Sequence, residues 1–155
     1  MVTKTETSKT LKDKKSVREA QKDFTRIVRA ATSYMRIFAC DYKNHTVRAL
    51  LKTNKAAHIA NLSLASNDGE KHLRLIVVLH RKDPLPSSQQ QAFLRFQNHT
   101  NFGMTFVTFD GEHHTFQVRA QSPLPCSHLT RFTIAMIATA VKRILDDDNF
   151  SQFLN

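Results

Sequence analysis

Residues 67–88 read Asn67-Asp68-Gly69-Glu70-Lys71-His72-Leu73-Arg74-Leu75-Ile76-Val77-Val78-Leu79-His80-Arg81-Lys82-Asp83-Pro84-Leu85-Pro86-Ser87-Ser88, and this stretch decides the fold. From His72 to Arg81 the residues alternate at the ends and are apolar through the middle, the pattern of a strand inside a sheet. An Asp-Gly pair such as Asp68-Gly69 readily takes the positive φ values that a tight hairpin demands. The segment before it, Ala56 to Ser66, with Ile59 and Leu62 marking an imperfect period, is therefore predicted to pair antiparallel with it. Pro84 and Pro86 end the strand, and Ser87 with Gln90 has capping-box spacing, so a helix is predicted from about Ser88 to Asn98.

The same grammar recurs downstream. Gly103-Met104-Thr105-Phe106-Val107-Thr108-Phe109 and Thr115-Phe116-Gln117-Val118-Arg119-Ala120 flank Asp110-Gly111, with Phe106 and Val118 as core candidates. Pro123-Leu124-Pro125-Cys126-Ser127 then leads into a helix predicted over about His128 to Leu145. The two Pro-Leu-Pro elements stand 39 residues apart and the two Asp-Gly turns 42 apart. Two copies of a ββα unit are too few for a solenoid and read as structural pseudo-repetition.

Upstream, Val17, Ala20, Phe24, Ile27, Val28, Ala31, Met35 and Phe38 recur at helical spacing, so one amphipathic helix is predicted from about Ser16 to Phe38. Ser16 and Glu19 have capping-box spacing at its start. Lys15, Arg18, Lys22, Arg26, Arg29 and Arg36 fall within about 80° of one another on the opposite face at about 100° per residue. A short strand, Val47-Arg48-Ala49-Leu50-Leu51-Lys52, follows. The expected fold is α+β: an antiparallel sheet of about five strands with helices, in the order α-β-β-β-α-β-β-α. The expected organisation is a flexible basic arm over 1–15, one domain over 16–146 and a C-terminal tail over 147–155. Phe150, Phe153 and Leu154 in that tail either pack back on the domain or dock on a second copy, which makes a homodimer an expectation to test.

Composition narrows the function. The 155 residues carry 23 Lys+Arg against 13 Asp+Glu, a net charge of +10. Residues 1–55 hold 14 Lys+Arg and 5 Asp+Glu, a net of +9, so nearly all the excess lies in the first third. Apolar residues make up 41%, enough for a packed core and too many for a disordered chain. Two cysteines cannot build a disulfide framework, and a reduced, cytoplasmic setting is the expectation. No apolar run approaches the roughly 20 residues that span a bilayer.

Candidate chemistry is sparse. The eight histidines show no paired short spacing of a structural zinc site. Cys40 and Cys126 have no flanking signature of a nucleophile and read as buried small hydrophobes. Asp146-Asp147-Asp148 sits where it opposes the helix dipole, a break before Phe150 more than a divalent-metal site. No carboxylate pair for acid–base work is identifiable. The expectation is therefore a protein that is not an enzyme, with no catalytic residues, no metal and no cofactor. No RNP-type motif, zinc-finger spacing or Gly-rich phosphate loop is present. The α-β-β-β-α opening shares its order with double-stranded RNA-binding domains, but the Lys-rich start of their last helix has no match at Ser87-Ser88-Gln89-Gln90-Gln91.

The strongest functional signal is the basic stripe. Arg48 and Lys52, on one face of the next strand, are expected to extend it, and Lys43 and Lys55 could add loop charges. Such a stripe suits an acidic protein partner or nucleic acid.

The order of elements, the helix-end run Phe93-Leu94-Arg95-Phe96-Gln97-Asn98-His99-Thr100-Asn101-Phe102, and Leu85-Pro86 and Leu124-Pro125 before the later helices resemble the YbjN / type III secretion chaperone-like group over about residues 16–146. The chain departs from secretion chaperones in its charge of +10, since those are commonly acidic. The resemblance implies a chaperone-like protein or regulatory adaptor. The expected function is a non-enzymatic binding module that docks an acidic or anionic partner through Lys15, Arg18, Lys22, Arg26, Arg29, Arg36, Arg48 and Lys52. The alternative is an RNA-binding protein gripping phosphates with the same stripe.

Overall fold

The computed structural model describes residues 4–67, 69–101, 103–125 and 127–154. The elements run α1 (Lys4–Ala31), β1 (Arg36–Asp41), β2 (Thr46–Lys52), β3 (Ala57–Asn67), β4 (Glu70–His80), α2 (Ser87–Thr100), β5 (Thr105–Asp110), β6 (Thr115–Pro123), a 3-10 turn (Ser127–Leu129), α3 (Thr130–Leu145) and a short α4 (Asp148–Ser151). The six strands form one antiparallel sheet in the order β1-β2-β3-β4-β6-β5. This is the expected α+β class with one strand more than expected.

The extra strand is β1, and it corrects the first helix. α1 stops at Ala31, and Arg36 to Asp41 pair with β2 instead of continuing the helix. At its other end α1 begins at Lys4, so Ser16 is interior and caps nothing. Residues 4–15, expected as an arm, are the first turns of this helix, and residues 1–3 lie outside the described residues. At about 1.5 Å per residue the 28-residue α1 is about 42 Å long. Residues 10–19 are all exposed, Val17 included at 58%. The apolar stripe meets the core only from Phe24 onward, where Phe24, Ile27, Ala31 and Met35 are buried.

Strand alternation places one sheet face under the helices. Val47, Ala49 and Leu51 of β2, Ala60 and Leu62 of β3, Leu73, Leu75 and Val77 of β4, Val107 of β5, and Phe116, Val118 and Ala120 of β6 are all fully buried. Ile134, Ile137 and Val141 of α3 pack into the same core, as do Phe24 and Ile27 of α1 and Phe93 of α2. Val118 is a core residue as expected. Phe106 is not, because Val107 takes the inward position on β5 and Phe106 faces the other way. β4 and β6 pair inside the sheet, Val77 opposite Val118. The strands of the two ββα units thus sit symmetrically about that pair, β3-β4 against β6-β5.

The tail packs back on its own domain. Phe150 and Phe153 are fully buried. The Phe150 ring stacks on Phe96 at 5.5 Å, and Phe153 meets Phe93 edge-on at 5.3 Å. The three consecutive aspartates have structural duties. Asp146 accepts from the backbone N–H groups of Asn54 and Lys55, Asp147 caps α4 through the Asn149 N–H, and Asp148 holds Lys55 Nζ at 2.6 Å.

Candidate functional site

The outward face of α1 keeps its cations together. Lys15, Arg18, Lys22 and Arg29 are exposed, and among the described residues no carboxylate lies within ion-pair distance of them. Of the nearby acids on this helix, Asp23 is occupied, with Lys71 at 3.0 Å and Arg26 at 3.5 Å, and Glu19 is exposed at the edge of the stripe. Arg18, Gln21, Lys22, Thr25, Arg26 and Arg29 line a shallow concavity of about 450 Å³. Four of those six side chains are cationic and none is acidic. A bound anion there would meet uncompensated positive charge, little screened at close range.

Not every predicted cation belongs to this face. Arg26 is pulled down onto the domain, where it donates to the Pro125 carbonyl at 3.2 Å as well as pairing with Asp23. Arg36 is the first residue of β1, not a member of the helix. Arg48 and Lys52 alternate with the buried Val47, Ala49 and Leu51. They therefore point to the sheet face that the helices leave uncovered, so they do not extend the helix stripe. Lys55 is held by Asp148. The predicted set thus divides into a helix face of Lys15, Arg18, Lys22 and Arg29, with Arg26 at its margin, and a separate group of Arg36, Arg48 and Lys52.

That second group is part of a larger arrangement. The open sheet face also carries Arg74 and Arg119, because Leu73, Leu75, Val118 and Ala120 beside them are buried. Cross-strand pairing lays out one row across five strands: Arg48 opposite Asn61, Asn61 opposite Ile76, Ile76 opposite Arg119, and Arg119 opposite Phe106. Both ends of the row carry a cation against an aromatic ring. The Arg119 guanidinium carbon lies 4.8 Å from the centre of the Phe106 ring, and that of Arg48 lies 5.5 Å from the Phe38 ring. Arg74 donates through Nε to Gln121 at 3.2 Å. Burial first, and then repulsion by Arg74, push the Arg119 guanidinium below its ordinary pKa. The Nε of Arg119 is buried without a hydrogen-bond partner.

Sequence reasoning missed this face, since pairing Phe106 with Arg119 requires the hairpin register. The Asp110-Gly111 turn contained the signal: with Asp110 opposite Thr115, counting outward sets Phe106 against Arg119.

Among the described residues, no three His, Cys, Asp or Glu side chains come together in a way that could hold a metal ion. His113 Nδ1 is engaged by Asp110 at 2.7 Å within its own turn. Cys40 is exposed on β1 and not buried as expected, and Cys126 lies outside the described residues. A groove of about 730 Å³ beside α3 is lined by His99, Arg143 and Asp147 among apolar and hydroxyl side chains, and Asp147 caps α4. Among the described residues no helix is long and apolar enough to cross a membrane. No protein-family model matches the chain, and no curated protein is significantly similar to it.

Proposed function

We propose that this protein is a non-enzymatic binding module that docks an acidic or anionic partner on the outward face of α1. One observation carries the reading. Lys15, Arg18, Lys22 and Arg29 stand exposed on one helix face and make no ion pair among the described residues; Asp23 is consumed by Lys71 and Arg26, and Glu19 stands at the edge of the stripe. Surface cations left without intramolecular partners add nothing to the fold and raise the association rate and orientation of an anionic partner. The projecting N-terminal half of α1 supports the same reading, because it gives the stripe a span free of the domain body. A chaperone-like or regulatory-adaptor role is the form of this function that fits the order of elements.

Phosphates are the other anion the stripe suits. Lys15, Arg18, Lys22 and Arg29 recur every three to seven residues, about 4.5 to 10 Å along the axis, a spacing that follows a nucleic-acid backbone. Titration with a polyglutamate peptide and with a short RNA duplex across a salt series separates the two. Phosphate neutralisation gives a linear fall of log affinity with log salt whose slope counts the contacts. Binding of neither probe at low salt overturns the proposal.

A further inference from the structure

We infer that the uncovered face of the sheet is a second binding surface, which takes single-stranded nucleic acid by stacking bases on Phe38 and Phe106 between arginines. It is distinct from the α1 face and stands without it. The sheet's other face is covered by α1, α2 and α3, and among the described residues no helix covers this one. Ile59 and Val78 near its middle are 50% and 40% exposed. An exposed apolar sheet face of this extent marks a surface that meets something.

Charge selects the occupant. Arg36, Arg48, Lys52, Arg74 and Arg119 all point outward here, while the acids on the same face, Asp41, Glu70 and Asp110, sit at strand ends. A second copy brought face to face by a two-fold axis would set these cations against one another, which is destabilising. An anionic chain would instead neutralise them. The aromatics select further. Each end of the row offers a guanidinium over a ring, and single-stranded nucleic acid is the anion whose repeating unit couples a phosphate to a flat π surface. Bases stack on Phe rings and on Arg planes, and phosphates track the cations between them. Asn61, Gln117 and Gln121, interspersed on the same face, add donors and acceptors for base edges. The buried, unpartnered Nε of Arg119 is a donor an incoming phosphate or base would satisfy. An acidic peptide would use the charges and leave both rings unused.

The test uses the full chain and a labelled oligouridine of about 12 nucleotides, a length within the usual site size. At low salt the wild type binds it. Phe38→Leu with Phe106→Leu keeps apolar bulk and removes both rings, and it weakens binding about 10- to 100-fold with the melting temperature nearly unchanged. Arg119→Gln lowers the slope of log affinity against log salt by about 0.7. Charge reversal on α1 leaves most of the oligouridine binding in place. Absence of oligouridine binding at low salt overturns the inference. So does a double Leu variant that is folded and binds as tightly as the wild type. If α1 reversal abolishes oligouridine binding while the Leu variant is unaffected, the sheet inference fails and the α1 reading survives. If polyglutamate competes at α1 and oligouridine still binds at the sheet, both stand.

Discussion

Arg81 donates from Nη1 to the carbonyl of Phe153 at 2.6 Å and from Nε to the carbonyl of Asp83 at 2.9 Å. The cation is 8% exposed and is satisfied by backbone oxygens, which tie the end of β4 to the C-terminus. This clamp holds Phe150 and Phe153 over Phe93 and Phe116. A buried donor pair of this kind is costly to remove because both carbonyls lose their partner. Arg81→Met is expected to destabilise the chain by about 2–3 kcal/mol, and Phe150→Ala by about 3–5 kcal/mol. Denaturant melts check both. An unchanged midpoint for Phe150→Ala would show that the tail is not part of the core.

The centre of the sheet should be equally intolerant. Leu75 is fully buried opposite Ala120, between β3 and β6. Leu75→Ala is expected to cost about 2–5 kcal/mol, read as a lower urea midpoint at constant slope. An unaltered midpoint would place β4 at an edge.

The helix cations should divide by their engagement. Arg18→Glu, Lys22→Glu and Arg29→Glu together are expected to leave the fold nearly intact, at less than about 0.5 kcal/mol each, while weakening anion binding. Arg26→Glu behaves differently, because Arg26 holds Asp23 and the Pro125 carbonyl. It is expected to cost about 1–2 kcal/mol. Equal melting temperatures for Arg26→Glu and Arg29→Glu would show that Arg26 is as free as its neighbours.

Two hairpins share one acid-sensitive turn. Asp41 accepts from the N–H groups of Lys43 and Asn44 and from the Asn44 side chain, and Asp110 accepts from the N–H groups of Glu112 and His113 and from the His113 ring. Four residues after each aspartate a histidine takes positive φ: His45 at 51° and His114 at 52°. The Asn44 side chain holds the Asp41 carboxyl below its ordinary pKa, and the His113 side chain does the same for Asp110. A depressed folded pKa contributes stability that is complete above the unfolded value of about 3.9 and is lost as pH falls through the folded value. The double variant Asp41→Asn, Asp110→Asn is expected to lose stability at neutral pH and to show a flatter decline of melting temperature below about pH 4. A decline parallel to that of the wild type would contradict it. His114→Gly should hold or raise stability, since glycine enters positive φ without a Cβ penalty.

Much of the architecture was legible because single residues carried it. The turn signals and Pro-Leu-Pro breaks marked both ββα units: in the first turn Gly69 takes φ 81° and Asp68 lies outside the described residues, while in the second the positive φ falls on His114 and not on Gly111; the apolar middle of His72–Arg81 marked an interior strand. β1 was hidden because Met35 and Phe38 continue the helical period of Phe24, Ile27 and Ala31. The strand is at the edge, with only Ile37 partly covered, and its register shifts between Ile37 and Ala39, so it never shows clean alternation. The start of α1 was obscured by Ser16, a good cap residue that sits in mid-helix because nothing upstream of it breaks a helix. The helix stripe was readable from angle alone. The sheet face was not, since Arg48, Arg119, Phe38 and Phe106 come from four strands and become neighbours only through register.

Whether the outward face of α1 is the docking edge is decided by titrating the isotope-labelled chain with polyglutamate and with a short RNA duplex while following backbone amide resonances. One of these probes is expected to shift the signals of Arg18, Gln21, Lys22, Thr25 and Arg29 together. Shifts confined to other elements, with those five unmoved at saturation, would contradict it.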